Sequence, residues 1–470
     1  MLPVWFKRKA NKGHSMMEYK LDKKKFNSEL FRISVPIAIQ NLMLALVAAA
    51  DAFMLGQVGQ NEMTAVSLAT QIQFIENMFF YAIVCAGSVL GAQYWGKNDK
   101  KTVSDIFSIM IKYSVIVSIG FFLACEFAPE YLMKVFTSDP VLIDIGSNYL
   151  RIAGWSYLLT GICECYLTIF KLTEKVRLVA IISSGAVILN IILNAIFIFG
   201  MFGLKPMSTE GAAIATTISR IVELGFCIGI SLKPSNIRMN LRKLFSQPKQ
   251  LRKDFARHCF PLIGSSLAWG LGFTSYTAII GHMGTNPAAA CSIAGVVRDL
   301  ICCVCNGVAN AAGIMVGNEL GAGNLEAGKA IGIRHVKISF LIGFGSTIVV
   351  LAITPLIINM VKLTDEAREY LIYMMIIMAV YMIGRCVNTV SINGVLDSGG
   401  DTIFDMYSLM VSMWMIAVPL AFFGAFVFHW SPIVVYACTC VDEVGKIPWV
   451  MIRMKKYKWV KDLTRKLDEE

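Results

Sequence analysis

The chain has 470 residues, of which 56% are apolar and only 16% charged, with a mean hydropathy of +0.62. Soluble domains carry about a quarter of their residues as charges, so a water-soluble fold is excluded and a polytopic membrane protein is expected. The formal net charge of +11 requires no polyanionic partner, because the basic residues of membrane chains collect in cytoplasmic loops.

A basic arm over residues 1–29 comes first, and its apolar stretch is too short for a cleaved signal peptide. Apolar runs of about 20 residues, the length a helix needs to cross about 30 Å of hydrocarbon, then follow. Twelve are expected, with cores at 33–56, 64–92, 103–127, 146–170, 178–202, 211–232, 259–283, 288–317, 333–358, 370–395, 403–427 and 432–453. Alternate breaks between them carry the Lys and Arg residues, while QVGQNEM, HMGTNP and FHWSP carry almost none. Both termini are therefore expected in the cytoplasm. The break over 233–257, with two prolines and eight cations, divides an N-lobe (30–232) from a C-lobe (258–453), and 454–470 is a cytoplasmic tail.

The two lobes share a sequence. Shifted by 225 positions, residues 36–96 align without a gap on 261–321 and place Pro36, Gly56, Gly59, Asn61 and Gly96 on Pro261, Gly281, Gly284, Asn286 and Gly321. Eleven of 61 positions are identical, six of them within fourteen residues at the turn between the first two runs. Such a period indicates an internal duplication. Six spans per copy make the repeats parallel, an arrangement that secondary transporters use to place a site between two halves. No nucleotide-binding glycine loop occurs, so any energy must come from an ion gradient.

Chemistry-bearing residues inside the runs are few. Asp51 stands eighteen residues into the first, where an unpaired carboxylate costs about 2.5–3.5 kcal/mol on insertion scales and should face a cavity or a partner. Asn190 and Asn194, four apart, share one face of the fifth span and add amide oxygens suited to a small hard cation; an interhelical hydrogen-bond pair is the alternative. Arg220 and Glu223, three apart, can pair within the sixth span. Glu164 is either a second proton site or a partner of Arg220. In the C-lobe, Arg298 with Asp299, Arg385, and Asp442 or Glu443 with Lys446 offer a cation for every acid and read as internal pairs. The thirteen cysteines lie largely in apolar runs, and Cys-x-Cys neighbours point apart on a helix, so buried thiols are expected and not a metal site. The five histidines converge on nothing, which argues against an enzyme. No cofactor is expected beyond a coupling ion.

The pattern Pro36, Asp51, Gly56 and Gly59 followed by TAVSLATQIQF, then GAQYWGKND, resembles the first two helices of the multidrug and toxic compound extrusion (MATE) family. NIILNAIFIFG from Asn190, GAAIATTISRIVEL from Gly211, VGNELGAGN from Val316 and LDSGGDT from Leu396 continue the resemblance in order, from about residue 30 to 464. It implies a V-shaped, all-α antiporter of two six-helix lobes, monomeric, in the plasma membrane, exporting drug-like, often cationic compounds against H⁺ or Na⁺. It also puts the coupling carboxylate of the first helix at Asp51, with the polar pair Asn190 and Asn194 beside it and Na⁺ as the only metal. NorM-like members carry a Glu eight residues after the seventh-helix proline, where this chain has Trp269, and no acid lies between Tyr370 and Val395. Coupling is therefore expected in the N-lobe, as in DinF-like members. A lipid-linked saccharide flippase and a non-transporting membrane scaffold are the competing readings.

Overall fold

The computed structural model describes residues 6–7, 20–234, 236–239, 247–361 and 363–465. Parts of the expected arm (1–5 and 8–19), linker (235 and 240–246) and tail (466–470) lie outside the described residues. Within the arm, Phe6–Lys7 (β1) and Lys20–Leu21 (β2) form a short antiparallel ladder.

Everything else regular is helical: α1 (Lys23–Val58), α2 (Gln60–Gly96), α3 (Lys100–Phe127), α4 (Pro129–Lys134), α5 (Pro140–Leu172), α6 (Val176–Phe199) and α7 (Ser208–Ser231). The second half follows as α8 (Lys249–His282), α9 (Thr285–Gly321), α10 (Leu325–Met360), α11 (Asp365–Thr389), α12 (Thr402–Leu409), α13 (Val418–Phe426), α14 (Pro432–Val444) and α15 (Ile447–Lys455). π-helical turns at residues 390–396 and 410–417 extend α11 and join α12 to α13. Side-chain caps fix several starts: Asp99 accepts from Thr102 N, Asp139 from Val141 N and Thr364 from Ala367 N. Gly200 ends α6 in the left-handed region, at φ +70, where a Cβ would be strained.

Among the described residues ten helices are long and apolar enough to cross a membrane, against the twelve expected. The seventh expected span is α8, 34 residues long, whose apolar stretch is diluted by Gly264, Ser265, Ser266, Gly270, Gly272 and Thr274. The twelfth is the pair α14 and α15, interrupted where Asp442, Glu443 and Lys446 fall. Helix ends also run past the apolar cores, since α1 begins at Lys23 and not near residue 33. Charged ends beyond the hydrocarbon continue the helix at little cost. Large apolar side chains such as Ile181, Phe226, Leu341, Ile348 and Met415 are exposed, as a lipid-facing surface requires.

The contacts divide the chain into two compact units. One comprises the chain up to Ala38, Ala92–Asn98 and Phe260–Arg465; the other comprises Ile39–Gly91 and Asp99–Cys259. In this division the first turns of α1 and the last turn of α2 group with the C-terminal half.

In the first unit the repeat is visible as a reciprocal contact between the ends of α2 and α9. A Cβ on Gly96 would lie 1.9 Å from Asn318 O, and one on Gly321 would lie 1.8 Å from Gln93 O. Gly321 is the copy of Gly96 and Asn318 the copy of Gln93, so each glycine meets the other copy's equivalent backbone. Ala92 and its copy Gly317 meet between them, the built Cβ of Gly317 standing 2.8 Å from that of Ala92.

The same end of α2 receives the tail. Gln93 donates to Ser398 O at 2.7 Å and accepts from Leu463 N at 2.6 Å, Arg465 N donates to the Tyr94 hydroxyl, and Lys97 reaches Thr464. Trp459 anchors this docking: it is fully buried, its backbone passes over Gly399 and its ring over Gly332, and its indole N–H donates to Met454 O. Trp459→Ala is expected to destabilise this unit by about 3–5 kcal/mol, as truncating a buried aromatic does, read as a lowered melting temperature of the purified protein. Tyr457→Ala, at a half-exposed ring over Lys329, should shift it little.

Candidate functional site: a polar intramembrane cavity

The second unit has an open cavity of about 740 Å³, lined by α1, α2, α5, α6 and α7. Two rungs of hydrogen bonds tie α1 to α6 beside it. Gln40 Nε2 donates to Ser183 Oγ at 3.1 Å, and Asn194 Nδ2 donates to Asp51 Oδ1 at 2.5 Å. Each pair is separated by 143 residues, so the two helices run parallel and in register. The rungs are eleven residues apart, about 16 Å along a helix axis.

The upper rung gathers three of the residues singled out in the sequence. Asn194 also donates to Asn190 Oδ1 at 3.1 Å, Asn190 donates to Thr216 Oγ1 at 3.2 Å, and Thr216 returns its proton to Ala212 O within α7. Asn190 and Asn194 come together because four residues are one turn, and Asp51 joins them across the α1–α6 seam. Asn194 is fully buried and among the described residues its Oδ1 has no partner, while Asp51, Asn190 and Thr216 open onto the cavity. Asp51, Asn190 and Thr216 bring hard oxygens of the kind that bind a proton or a small cation, and Asn194 turns its amide N–H₂ toward the first two.

The lower rung continues into the sixth expected span. Arg220 Nη1 donates to Glu223 Oε2 at 2.6 Å, and Ser183 donates to Glu223 Oε1 at 3.2 Å, so both oxygens of this buried carboxylate are satisfied. Removing one member takes away the partner of the other charge in a largely buried wall. Glu223→Ala should therefore cost about 3–5 kcal/mol, whereas the double replacement Arg220→Met with Glu223→Leu should recover most of the loss in thermal stability. Glu164 lines the cavity and, among the described residues, has no ion pair or hydrogen bond; the contact of Arg220 is with Glu223. Three carboxylates (Asp51, Glu164 and Glu223) thus share the cavity with one guanidinium.

The C-lobe candidates lie in the other unit and form closed pairs. Arg298 pairs with Asp299 at 2.8 Å and lies over the Phe273 ring. Glu443 is gripped by Arg385 at 2.9 Å, Lys446 at 3.7 Å and Asn388 at 2.7 Å. Tyr276, the repeat copy of Asp51, donates from its hydroxyl to Asp442 at 3.3 Å. Trp269, Phe273, Tyr276 and Trp414 pack as one apolar cluster, while Phe80 and Tyr81 line the other unit's cavity.

Thr216, Gln40 and Ser183 went unnoticed in the sequence, since nothing in a run of small residues marks which hydroxyl meets a partner. Glu76 went unnoticed although an acid in the middle of the second run was there to be read. Its side chain is fully buried and among the described residues neither carboxyl oxygen has a hydrogen-bond partner.

A duplicated, all-α membrane protein with a largely apolar cavity that carries a few charged and amide groups between its helices has the architecture of a transporter. The MatE family profile matches twice, over residues 36–196 and 261–423, and the two starts are again 225 apart. The chain belongs to the MatE family, whose members are multidrug efflux transporters and not enzymes. It is 24% identical over 396 residues to the uncharacterized transporter YisQ of Bacillus subtilis, covering 84% of this chain and 86% of that protein. With the probable multidrug resistance protein NorM of Thermotoga maritima it shares 22% over 396 residues, covering 84% of each chain. Its fold matches that of the Vibrio cholerae MATE transporter VcmN with a TM-score of 0.85 at 15% identity, over 92% of this chain and 97% of that one. A MOP superfamily transporter from Pyrococcus furiosus matches with a TM-score of 0.82 at 17% identity, over the same shares of the two chains.

Proposed function

We propose that this chain is a secondary antiporter that exports cationic or amphipathic organic compounds in exchange for H⁺ or Na⁺ by alternating access. The observation that carries this reading is the Asp51–Asn194–Asn190–Thr216 chain at the wall of the 740 Å³ cavity. A carboxylate held by one amide can take either a proton or, with the neighbouring oxygens, a Na⁺ ion, and Asp51, Asn190 and Asn194 are the coupling set. The excess of carboxylates in the cavity supports cationic cargo. It also disfavours the flippase reading, whose anionic lipid-linked saccharide requires cations. The paired charges around Arg385 and Glu443 support coupling in the N-lobe alone, the DinF-like pattern. The alternation of basic loops supports cytoplasmic termini in a plasma membrane, and the protein is taken to act as a monomer.

Ethidium efflux from proteoliposomes, driven first by an imposed Na⁺ gradient and then by a pH gradient, tests the reading. One of the two gradients should drive efflux. No efflux under either gradient would contradict antiport and favour the scaffold.

A further inference from the structure

We propose that Glu76 is a second proton-binding group of the second unit, held neutral inside the cavity wall and exchanging its proton with cavity water. It stands near the middle of α2, fully buried, and among the described residues neither carboxyl oxygen has a hydrogen-bond partner. An ionised carboxylate in that position would need a cation or several donors, and among the described residues no Lys, Arg or His pairs with it. The titratable groups in its electrostatic reach are Cys125 on α3 and Tyr157 on α5, the second with its own hydroxyl buried and unpartnered. Beyond them stand Glu126 on α3, and Tyr149 on α5 beside Asp51. None of these supplies positive charge.

The carboxyl is not required by packing. At the equivalent position of the repeat the chain carries Ile301, so the same helix is built elsewhere with a hydrocarbon. An acid kept where its copy is apolar points to chemistry and not to the fold. Access is short: Gln73, Asn77 and Phe80, at −3, +1 and +4 on the same helix, all line the cavity, and Phe80 closes against Gly161 of α5. In the exchange the Glu76 O–H bond breaks, its proton passes to a cavity water, and the carboxylate is reprotonated from the same water. No electron is transferred and no co-reactant is needed.

Infrared difference spectroscopy of the purified protein tests this. Wild type minus Glu76→Gln, and wild type minus Glu76→Ile, should show one protonated-carboxyl stretching band at neutral pH, and that band should shift down in D₂O. Absence of the band, or its replacement by a carboxylate band, would overturn the neutral group. A band that keeps its position in D₂O would overturn the exchange. Both variants are shape-compatible with the site, so they should elute and melt like the wild type. Participation of this proton in transport rests on the antiporter reading: pH-driven ethidium efflux should be lost in Glu76→Gln and regained in Glu76→Asp. Wild-type protein inert to both gradients would sink antiport while leaving the spectroscopic result standing.

Discussion

Asp51→Asn is expected to abolish gradient-driven efflux from proteoliposomes while changing the stability of the folded protein by no more than about 1 kcal/mol. The amide is nearly isosteric and keeps an oxygen to accept the hydrogen bond from Asn194 Nδ2, so the α1–α6 seam survives. It cannot ionise, and so it neither carries a proton between the two sides nor neutralises a Na⁺ ion. A merely structural acid would show the opposite pattern, with transport kept and stability lost. Efflux rates normalised to protein recovered in the vesicles, with melting temperatures of the same samples, separate the two. Asn194→Asp provides the complementary change, because it doubles the carboxylate at this point and should strengthen the dependence on Na⁺.

Gly96→Leu and Gly321→Leu should each destabilise the protein by about 3 kcal/mol or more, beyond ordinary overpacking, because the obstacle is backbone and cannot rotate away. A Cβ at either position would stand less than 2 Å from a carbonyl oxygen of the other repeat copy. The ends of α2 and α9 must then separate, which also loosens the Gln93 contacts that hold Ser398 and Leu463. The reciprocal geometry adds a further expectation: the two variants should lose similar amounts. Gly120→Ala and Gly225→Ala, where a Cβ meets nothing within 4 Å, should be neutral or gain about 0.5–1 kcal/mol from the stiffer unfolded chain. Thermal unfolding monitored by size-exclusion recovery reads all four.

The duplication was the most legible part of the fold, because Pro36 and Gly96 recur at Pro261 and Gly321 where a backbone requirement, and not a side-chain preference, selects the residue. Spans were legible from apolar length wherever small polar residues did not dilute them, which is why α8 and the broken α14–α15 pair fall short of the pattern. Of the cavity residues, those with helical spacing could be grouped in advance: Asn190 with Asn194, and Arg220 with Glu223. The meeting of Asp51 with Asn194 crosses 143 residues and follows from the register of α1 against α6, which no local period encodes. The docking of Trp459 against Gly332 and Gly399 was hidden for the same reason. A basic, aromatic segment after the last span reads as a solvated tail until the glycines that admit it are placed beside it. Tyr276 shows how the copies diverged: the position of Asp51 became a donor to an acid supplied by α14.

The steady-state ratio of ethidium across the vesicle membrane, measured against the size of the imposed ion gradient, tests the central claim most directly. A coupled exchanger with its ion at Asp51 gives a wild-type ratio that rises with the gradient and an Asp51→Asn ratio that stays at one. A ratio that rises equally in Asp51→Asn would place the coupling ion elsewhere in the protein.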